Sequence, residues 1–370
     1  MKTVNITHLT SAHPRYDTRI FVKECCSLAG VEHYKVSLIV ADGKGDEQKD
    51  GVEILDVGPH KGGRLSRMTD TVKRVYNRAR ALESDLYHFH DPELIPVALK
   101  LKKTGKKVIF DIHEDVPKQI LAKPYLNRFS KQLFSALYRL YENHACAKFD
   151  ALITPTPIMN RNFSKQHPRS VQVANYPILT ELANTVPWQE REDRVCHVGS
   201  LAESRGVLEI IEALSISKVP LDLCGDFRPH ALEQKAKALD GWSYVAYHGF
   251  VSREEVAKVL KKVKIGLVTL HPTPSYLEAL PVKMFEYMAA GIPVIASDFP
   301  LYRELLAAYP CALFVDPLNP QAIAEATTEL LDNQKAAEKM GEVGKEAAMS
   351  TFNWVHEEQK LLQLYQELLS

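Results

Sequence analysis

Apolar positions along this chain fall into short alternating or continuous runs, separated by longer stretches with helical spacing. Val4–Leu9, Val36–Ala41, Val52–Val57, Leu86–Phe89, Val108–Asp111, Ala151–Thr154 and Val171–Ala174 read as strands. Arg19–Ala29, Pro92–Lys103 and Arg128–Lys148 read as helices among them. Strands alternating with helices predict βαβ units and a mostly parallel sheet.

The rhythm lapses over Glu181–Asp193, a polar stretch that contains Pro187 and has no period, which suits a link between domains. It then resumes. Val195–Val198, Leu221–Cys224, Tyr244–Tyr247, Ile265–Thr269, Val294–Ala296 and Ala312–Val315 read as strands, with Val207–Leu214, Arg253–Lys262, Val282–Ala290 and Gln321–Leu331 as helices. Asn353–Leu369 reads as a last amphipathic helix. The expected α/β organisation is two Rossmann-like, doubly wound domains, residues 1–182 and 194–352, joined by a linker at 183–193. The terminal helix, 353–370, is expected to cross back to the first domain. Sheets of this kind take ligands in a crevice at the carboxyl ends of their strands, so a central cleft is expected.

Composition narrows the classes. The 370 residues are too many for one ordinary core and suit two domains. Lysine plus arginine and aspartate plus glutamate both count 46, so a globally basic face for nucleic acid is not expected. Six cysteines, with Cys25 and Cys26 adjacent and no CxxC pair, show neither a zinc nor a redox pattern. The opening MKTVNITHLT reads as a strand and not a signal peptide, and no run of about 18 apolar residues is present. A cytoplasmic protein is expected, and association with the inner face of a membrane stays open.

The chemistry gathers in the loops after strands. His13, Asp17 and Arg19 share the first such loop, with Asp17 suited to cap the following helix. His88-Phe-His-Asp-Pro places His88 and His90 on one side of a strand, with Asp91 able to cap a helix opened by Pro92. Two histidines and an aspartate could hold a metal, but the spacing matches no strong signature. His113 leaves the strand ending at Asp111; it is either a core histidine or a group facing a ligand.

In the second half, Gly199 and Ser200 turn from a strand toward a helix, with Arg205 in the turn. A glycine turn at a helix start favours an anion, because free backbone N–H groups and the helix dipole point at it. No GxGxxG occurs, which argues against an ordinary dinucleotide site. The most specific stretch runs from Glu278 to Glu286 with seven residues between. Lys283 falls in the first turn of the helix after Pro281, an unfavourable place for a cation unless an anion sits there.

The E-x7-E spacing and the following EYMAAGIPVIAS resemble the signature of retaining glycosyltransferases of family 4, which have the GT-B fold. The resemblance covers nearly the whole chain, through HPRYDTRI, HFHDPEL, FDIHE, VGSLAESRG, YHGFVSREE and the helix around Trp354, and points to a bacterial surface-polysaccharide enzyme. It implies that Glu286 binds the ribose hydroxyls and Glu278 the donor sugar, that Arg205 and Lys283 meet the diphosphate, and that Phe250 and Val251 read the base. His113 resembles the amino-domain histidine beside the donor. Two departures stand out. Ser200 takes the place of an arginine found after the glycine in many members, and the first loop has His13, Asp17 and Arg19 in place of a glycine pair.

The resemblance implies transfer of a sugar from a nucleoside-diphosphate donor, a UDP-sugar by preference, to a glycan or lipid-linked acceptor. No DxD motif is present, and no metal or other cofactor is expected. Two other readings stay open: a nucleotide-sugar epimerase of the same architecture, and a non-catalytic nucleotide-sugar-binding subunit. The segment Lys118–Lys148 is basic, and Leu133, Phe134, Leu137, Leu140 and Tyr141 form a stripe along it. That stripe is either packed inward or docked on an anionic bilayer.

Overall fold

The structure is a computed structural model describing residues 3–370 except 61, 64, 65, 122, 124, 125 and 183–185. It divides into two compact units, Met1–Asn175 with Glu357–Ser370, and Tyr176–His356. The chain changes unit at Asn175–Tyr176, ahead of the expected 183–193 linker, of which 183–185 lie outside the described residues.

The first unit contains β1 (Val4–Leu9), β2 (Tyr34–Val40), β3 (Glu47–Lys49), β4 (Val52–Asp56), β5 (Leu86–Phe89), β6 (Lys107–Asp111), β7 (Ala151–Thr154) and β8 (Ser170–Gln172). They form one sheet in the order β3-β4-β2-β1-β5-β6-β7-β8, all parallel except β3 against β4. That pair is a hairpin across Asp50 and Gly51, both at positive φ, with Lys49 opposite Val52. Asp-Gly is a strong two-residue turn signal, yet the charged strand before it has no hydrophobic alternation to announce it. The core packs Leu9, Ile39, Phe89, Phe110 and Phe149 with Ile95 and Leu101 of the neighbouring helix.

The second unit contains β9 (Glu192–Val198), β10 (Leu221–Cys224), β11 (Val245–Gly249), β12 (Val263–Val268), β13 (Val294–Ser297) and β14 (Ala312–Val315). The order β11-β10-β9-β12-β13-β14 is fully parallel and reverses direction between β9 and β12. This is the doubly wound order whose ligands sit at the reversal point. In the first sheet the reversal falls between β1 and β5.

Some helices escape pattern reading for physical reasons. The helix Gln334–Ser350 buries Ala337, Gly341, Gly344, Ala347 and Ala348, so it lacks the large apolar residues that mark a period. Its glycines allow close approach: a Cβ on Gly341 would lie 2.2 Å from the Gly291 carbonyl oxygen. The helix expected at Arg19–Ala29 starts as a wider π turn, Thr18–Cys25, and tightens to an α turn at Cys26–Ala29. Asp17 caps it, accepting from the backbone N–H of Arg19 and Ile20. The terminal helix Trp354–Leu369 joins the first unit from Glu357 onward, where the Ala174 N–H donates to Glu357 Oε2 across 2.7 Å. The helix Arg128–Cys146 turns its apolar stripe outward, which sets aside inward packing, the first of the two arrangements left open by the sequence.

Candidate functional sites

In the second unit, three strand ends are stitched together by backbone. The Gly199 N–H donates to Cys224 O, and the Gly225 N–H to Gly249 O. A side chain on Gly225 would collide with the Gly199 carbonyl, its Cβ 1.9 Å from that oxygen, so glycine is required there. Gly199 itself has φ 117° and begins the turn after β9. Gly206, at φ 72°, precedes the helix Val207–Ser217, and no side chain caps that helix. A helix start led by glycine in this way suits an anion.

Two cations converge on this turn. A Cβ on Gly199 would lie 3.8 Å from both Arg205 Nη1 and Lys283 Nζ. Lys283 is only 7% exposed and sits in the first turn of the helix Val282–Ala289. Its Nζ is 3.0 Å from Nε2 of His197, a fully buried residue on β9. Burial, and then repulsion from Arg205, bring the Lys283 ammonium down to about 7. Burial likewise keeps His197 neutral, well below its ordinary value, with Lys283 adding to the effect. A neutral imidazole can accept from Lys283 and aim it. The helix is locked in place by Tyr287, whose hydroxyl accepts from the Val198 N–H and whose ring covers Gly266, leaving no room there for a Cβ.

Glu286 lies one residue before Tyr287 and is 5% exposed. Arg253 Nη1 donates to its Oε1 across 2.6 Å. Arg253 opens the helix Arg253–Lys262, fixed by a capping box in which Ser252 and Glu255 satisfy each other. Phe250, in the turn before that box, is 82% exposed, and Val251 beside it is half-buried. Glu278 is half-buried in the short turn Tyr276–Glu278. Gly199, Ser200, Arg205, Lys283 and Glu286 thus surround the turns after β9 and β12. His197 and Arg253 join them without a local signal, since each acts through a residue distant in sequence.

In the first unit, the expected site residues separate into buried and accessible ones. Arg19 is buried and forks onto Asp111, with Nε and Nη2 each 2.8 Å from a carboxylate oxygen. Asp91 does not cap its helix; it accepts from Thr10 Oγ1 and the Ser11 N–H. His90 is buried, with Nδ1 3.2 Å from Asp111 Oδ2 and Nε2 3.0 Å from His8 Nδ1. The chain continues through His8 Nε2 to the Tyr365 hydroxyl at 3.1 Å and on to His88 Nδ1 at 2.8 Å. Arg19, His90 and Asp91 therefore belong to an internal polar network and do not line a surface.

Burial is the main reason that His8 and His88 are held well below the ordinary imidazole value and His90 near 4. Burial and repulsion from Asp111 push Glu24 up, toward the neutral acid. Among the described residues, His8, Glu24, His88 and His90, and separately His90, Asp111 and His113, have ligand atoms close enough for a metal. Arg19, 2.8 Å from Asp111, answers that carboxylate's charge, while Glu24, 3.2 Å from Arg19, is driven toward its neutral acid.

His113 and His13 reach outward. His113 Nε2 lies 2.8 Å from Asp111 Oδ2, so the carboxylate orients the ring. His13 stands 4.9 Å from it, ring to ring, with Asp17 and Asp91 at 3.4 and 3.5 Å. Burial alone would depress His13, but the carboxylates of Asp17, Asp91 and Asp111 outweigh it and raise its pKa.

The second unit is a doubly wound α/β domain with two basic side chains and a helix start at the reversal point and a buried carboxylate in the helix after β12, an arrangement suited to an anion. The glycosyl transferases group 1 model matches residues 180–347, and the glycosyltransferase family 4 model matches residues 25–175. The chain belongs to glycosyltransferase family 4 and has the GT-B fold.

It is 23% identical over 239 residues to the MMP alpha-(1->4)-mannosyltransferase of Mycolicibacterium hassiacum, covering 57% of each chain. The chain spans between 47% and 62% of the curated relatives it matches. Among solved structures, sucrose-phosphate synthase from Thermosynechococcus elongatus superposes with a TM-score of 0.79 at 18% identity over 99% of both chains. HepE of Anabaena, in complex with UDP-glucose, gives 0.72 at 14% identity over 98% of this chain and 99% of that one.

Proposed function

We propose that the protein is a retaining glycosyltransferase that moves a sugar from a nucleoside-diphosphate sugar to a glycan or lipid-linked saccharide, in surface-polysaccharide synthesis. The observation that carries this reading is the convergence of Arg205 and Lys283 over Gly199, beside an uncapped helix start. Only a ligand with concentrated negative charge makes use of a buried lysine and an arginine placed together. Glu286 follows Lys283 by three positions on the same helix, and a carboxylate suits the vicinal hydroxyls of a ribose.

In the reaction, an acceptor hydroxyl attacks the anomeric carbon on the face from which the diphosphate departs. The bond from that carbon to the phosphate oxygen breaks, and the acceptor's proton passes to the departing oxygen. Arg205, Lys283 and the helix start stabilise the charge that develops, so no metal is required at the diphosphate. Glu278 holds hydroxyls of the donor sugar, and His113, oriented by Asp111, is the amino-terminal unit's catalytic group. Phe250 and Val251 flank the base. UDP is the preferred nucleotide, supported by the fold shared with a protein solved with UDP-glucose. With a lipid-linked acceptor the enzyme works at the inner face of a membrane.

A thermal-shift panel of UDP-, GDP- and ADP-sugars, with and without chelator, tests the base and the metal together. Stabilisation by one nucleotide class that persists in chelator is expected. Loss of all stabilisation in chelator would overturn metal independence. Turnover of donor without acceptor would turn the reading toward an epimerase.

A further inference from the structure

The helix Arg128–Cys146 is turned inside out. Phe129, Leu133, Leu137 and Leu140 follow one another at near-helical spacing and are 75, 44, 53 and 67% exposed, with Phe134 and Tyr141 exposed alongside. The residues facing the protein are Ser135, Glu142, Ala145 and Cys146. Ser135 Oγ donates to the Pro117 carbonyl across 3.0 Å, anchoring the helix on the turn Val116–Leu121, whose Leu121 is exposed as well. Contiguous apolar surface of this kind marks an interaction site.

Charge selects the occupant. Between residues 116 and 149 the one acid is Glu142, and it points inward. Burial raises it to about 8, so at neutral pH it adds little negative charge. The cations of the segment, Lys118, Lys123, Arg128, Lys131, Arg139 and Lys148, are all at least partly exposed, and Lys118 is paired with Asp115. Besides Glu142, the acids just ahead of the segment are Asp115, already paired with Lys118, and Glu114, bonded to Gln119, so a second copy seated symmetrically on this face would mainly oppose cation to cation. No helix among the described residues is long and apolar enough to cross a membrane. An apolar stripe bordered by cations suits a helix lying in the plane of an anionic lipid surface, where side chains enter the acyl region and ammonium and guanidinium groups meet the headgroups.

We propose that the first unit docks on an anionic bilayer through the exposed face of the helix Arg128–Cys146, with Leu121 alongside. The docking surface stands apart from the transfer chemistry and holds whether or not the acceptor is a lipid.

The test is flotation of the full chain with phosphatidylcholine vesicles, with and without roughly 30% phosphatidylglycerol. The expected result is flotation with the anionic vesicles and little with the neutral ones. L137E/L140E should weaken binding roughly tenfold or more. R128Q/K148Q should weaken it about fivefold for each charge removed. Both pairs are at the surface, so each variant should keep the wild-type urea midpoint, and L140S serves if the double glutamate fails to fold. Failure to float with anionic vesicles, or L140S and R128Q/K148Q both floating like wild type, overturns the proposal. So does a wild-type dimer in sedimentation that L140S dissociates, because the face would then pair with itself. Nucleotide binding by the second unit, measured on the same samples, reports separately on the transferase reading.

Discussion

Arg253 donates to Glu286 across 2.6 Å, from the first turn of one helix to the second turn of another, and this pair sets where the buried carboxylate points. Glu286 is nearly enclosed, whereas Arg253 is half in solvent, so the arginine acts as a movable clamp on a fixed acid. In R253A the carboxylate loses a charged donor and its orientation. The donor KM should rise about fivefold to tenfold with kcat changed much less, since roughly 1 kcal/mol is at stake for a partly exposed partner. R253K should recover part of the loss. E286A should abolish detectable donor binding while leaving the urea midpoint near wild type. Equal KM in R253A and wild type would detach Arg253 from the site.

Lys283 makes donor binding depend on pH. Its ammonium is lowered to about 7 in the folded chain, against 10.5 in an unfolded chain. The folded protein therefore binds fewer protons than the unfolded one between these values, and its stability rises with pH across that window. A diphosphate reverses the balance by favouring the charged lysine, so binding above pH 7 takes up a proton. Affinity for a nucleoside diphosphate should fall by up to about tenfold per pH unit above 7. Calorimetry in buffers of different ionisation enthalpy at pH 8 measures the uptake. K283M should bind weakly and lose both the slope and the uptake.

Gly206 tests the architecture of the turn proposed to hold the diphosphate. A Cβ there would stand 2.0 Å from the Thr269 carbonyl oxygen, at a φ of 72° that disfavours any side chain. Backbone must move to admit it. G206A should lower stability by about 3 kcal/mol or more in urea titration and should lose nucleotide binding.

The first unit should be sensitive to acid. His8, His88 and His90 are neutral and enclosed, with folded values below the unfolded 6.5. Their contribution to stability is complete above 6.5 and is lost as pH falls, because the unfolded chain gains protons that the folded one refuses. His90 alone, lowered from 6.5 to about 4, accounts for on the order of 3 kcal/mol. Glu24, raised by burial, works in the opposite direction at lower pH and softens the decline. Hydrogen exchange between pH 7 and 5 should show the first unit opening before the second. Y365F, which removes the shared partner of His8 and His88, should cost about 2 kcal/mol and move that opening to higher pH.

Much of this molecule could be read from its residues in order. The alternation of short apolar runs with helical stretches is a local property, and it located most of the fourteen strands among the described residues to within a few residues. Glycine turns are local too: Gly199 and Gly206 mark the turn after β9 because the backbone there requires positive φ. The E-x7-E spacing spans a single loop and helix, so Glu278, Lys283 and Glu286 were visible together. Other features depend on contacts between distant parts of the chain. Arg19 meets Asp111 across 92 positions, Lys283 meets His197 across 86, and Arg253 meets Glu286 across 33. No local period encodes such meetings, because they arise when parallel strands bring separate loops to one end of a sheet. The helix Arg128–Cys146 is the clearest instance. Periodicity established that its apolar residues share a face, but which way that face turns was settled by what the rest of the unit left uncovered.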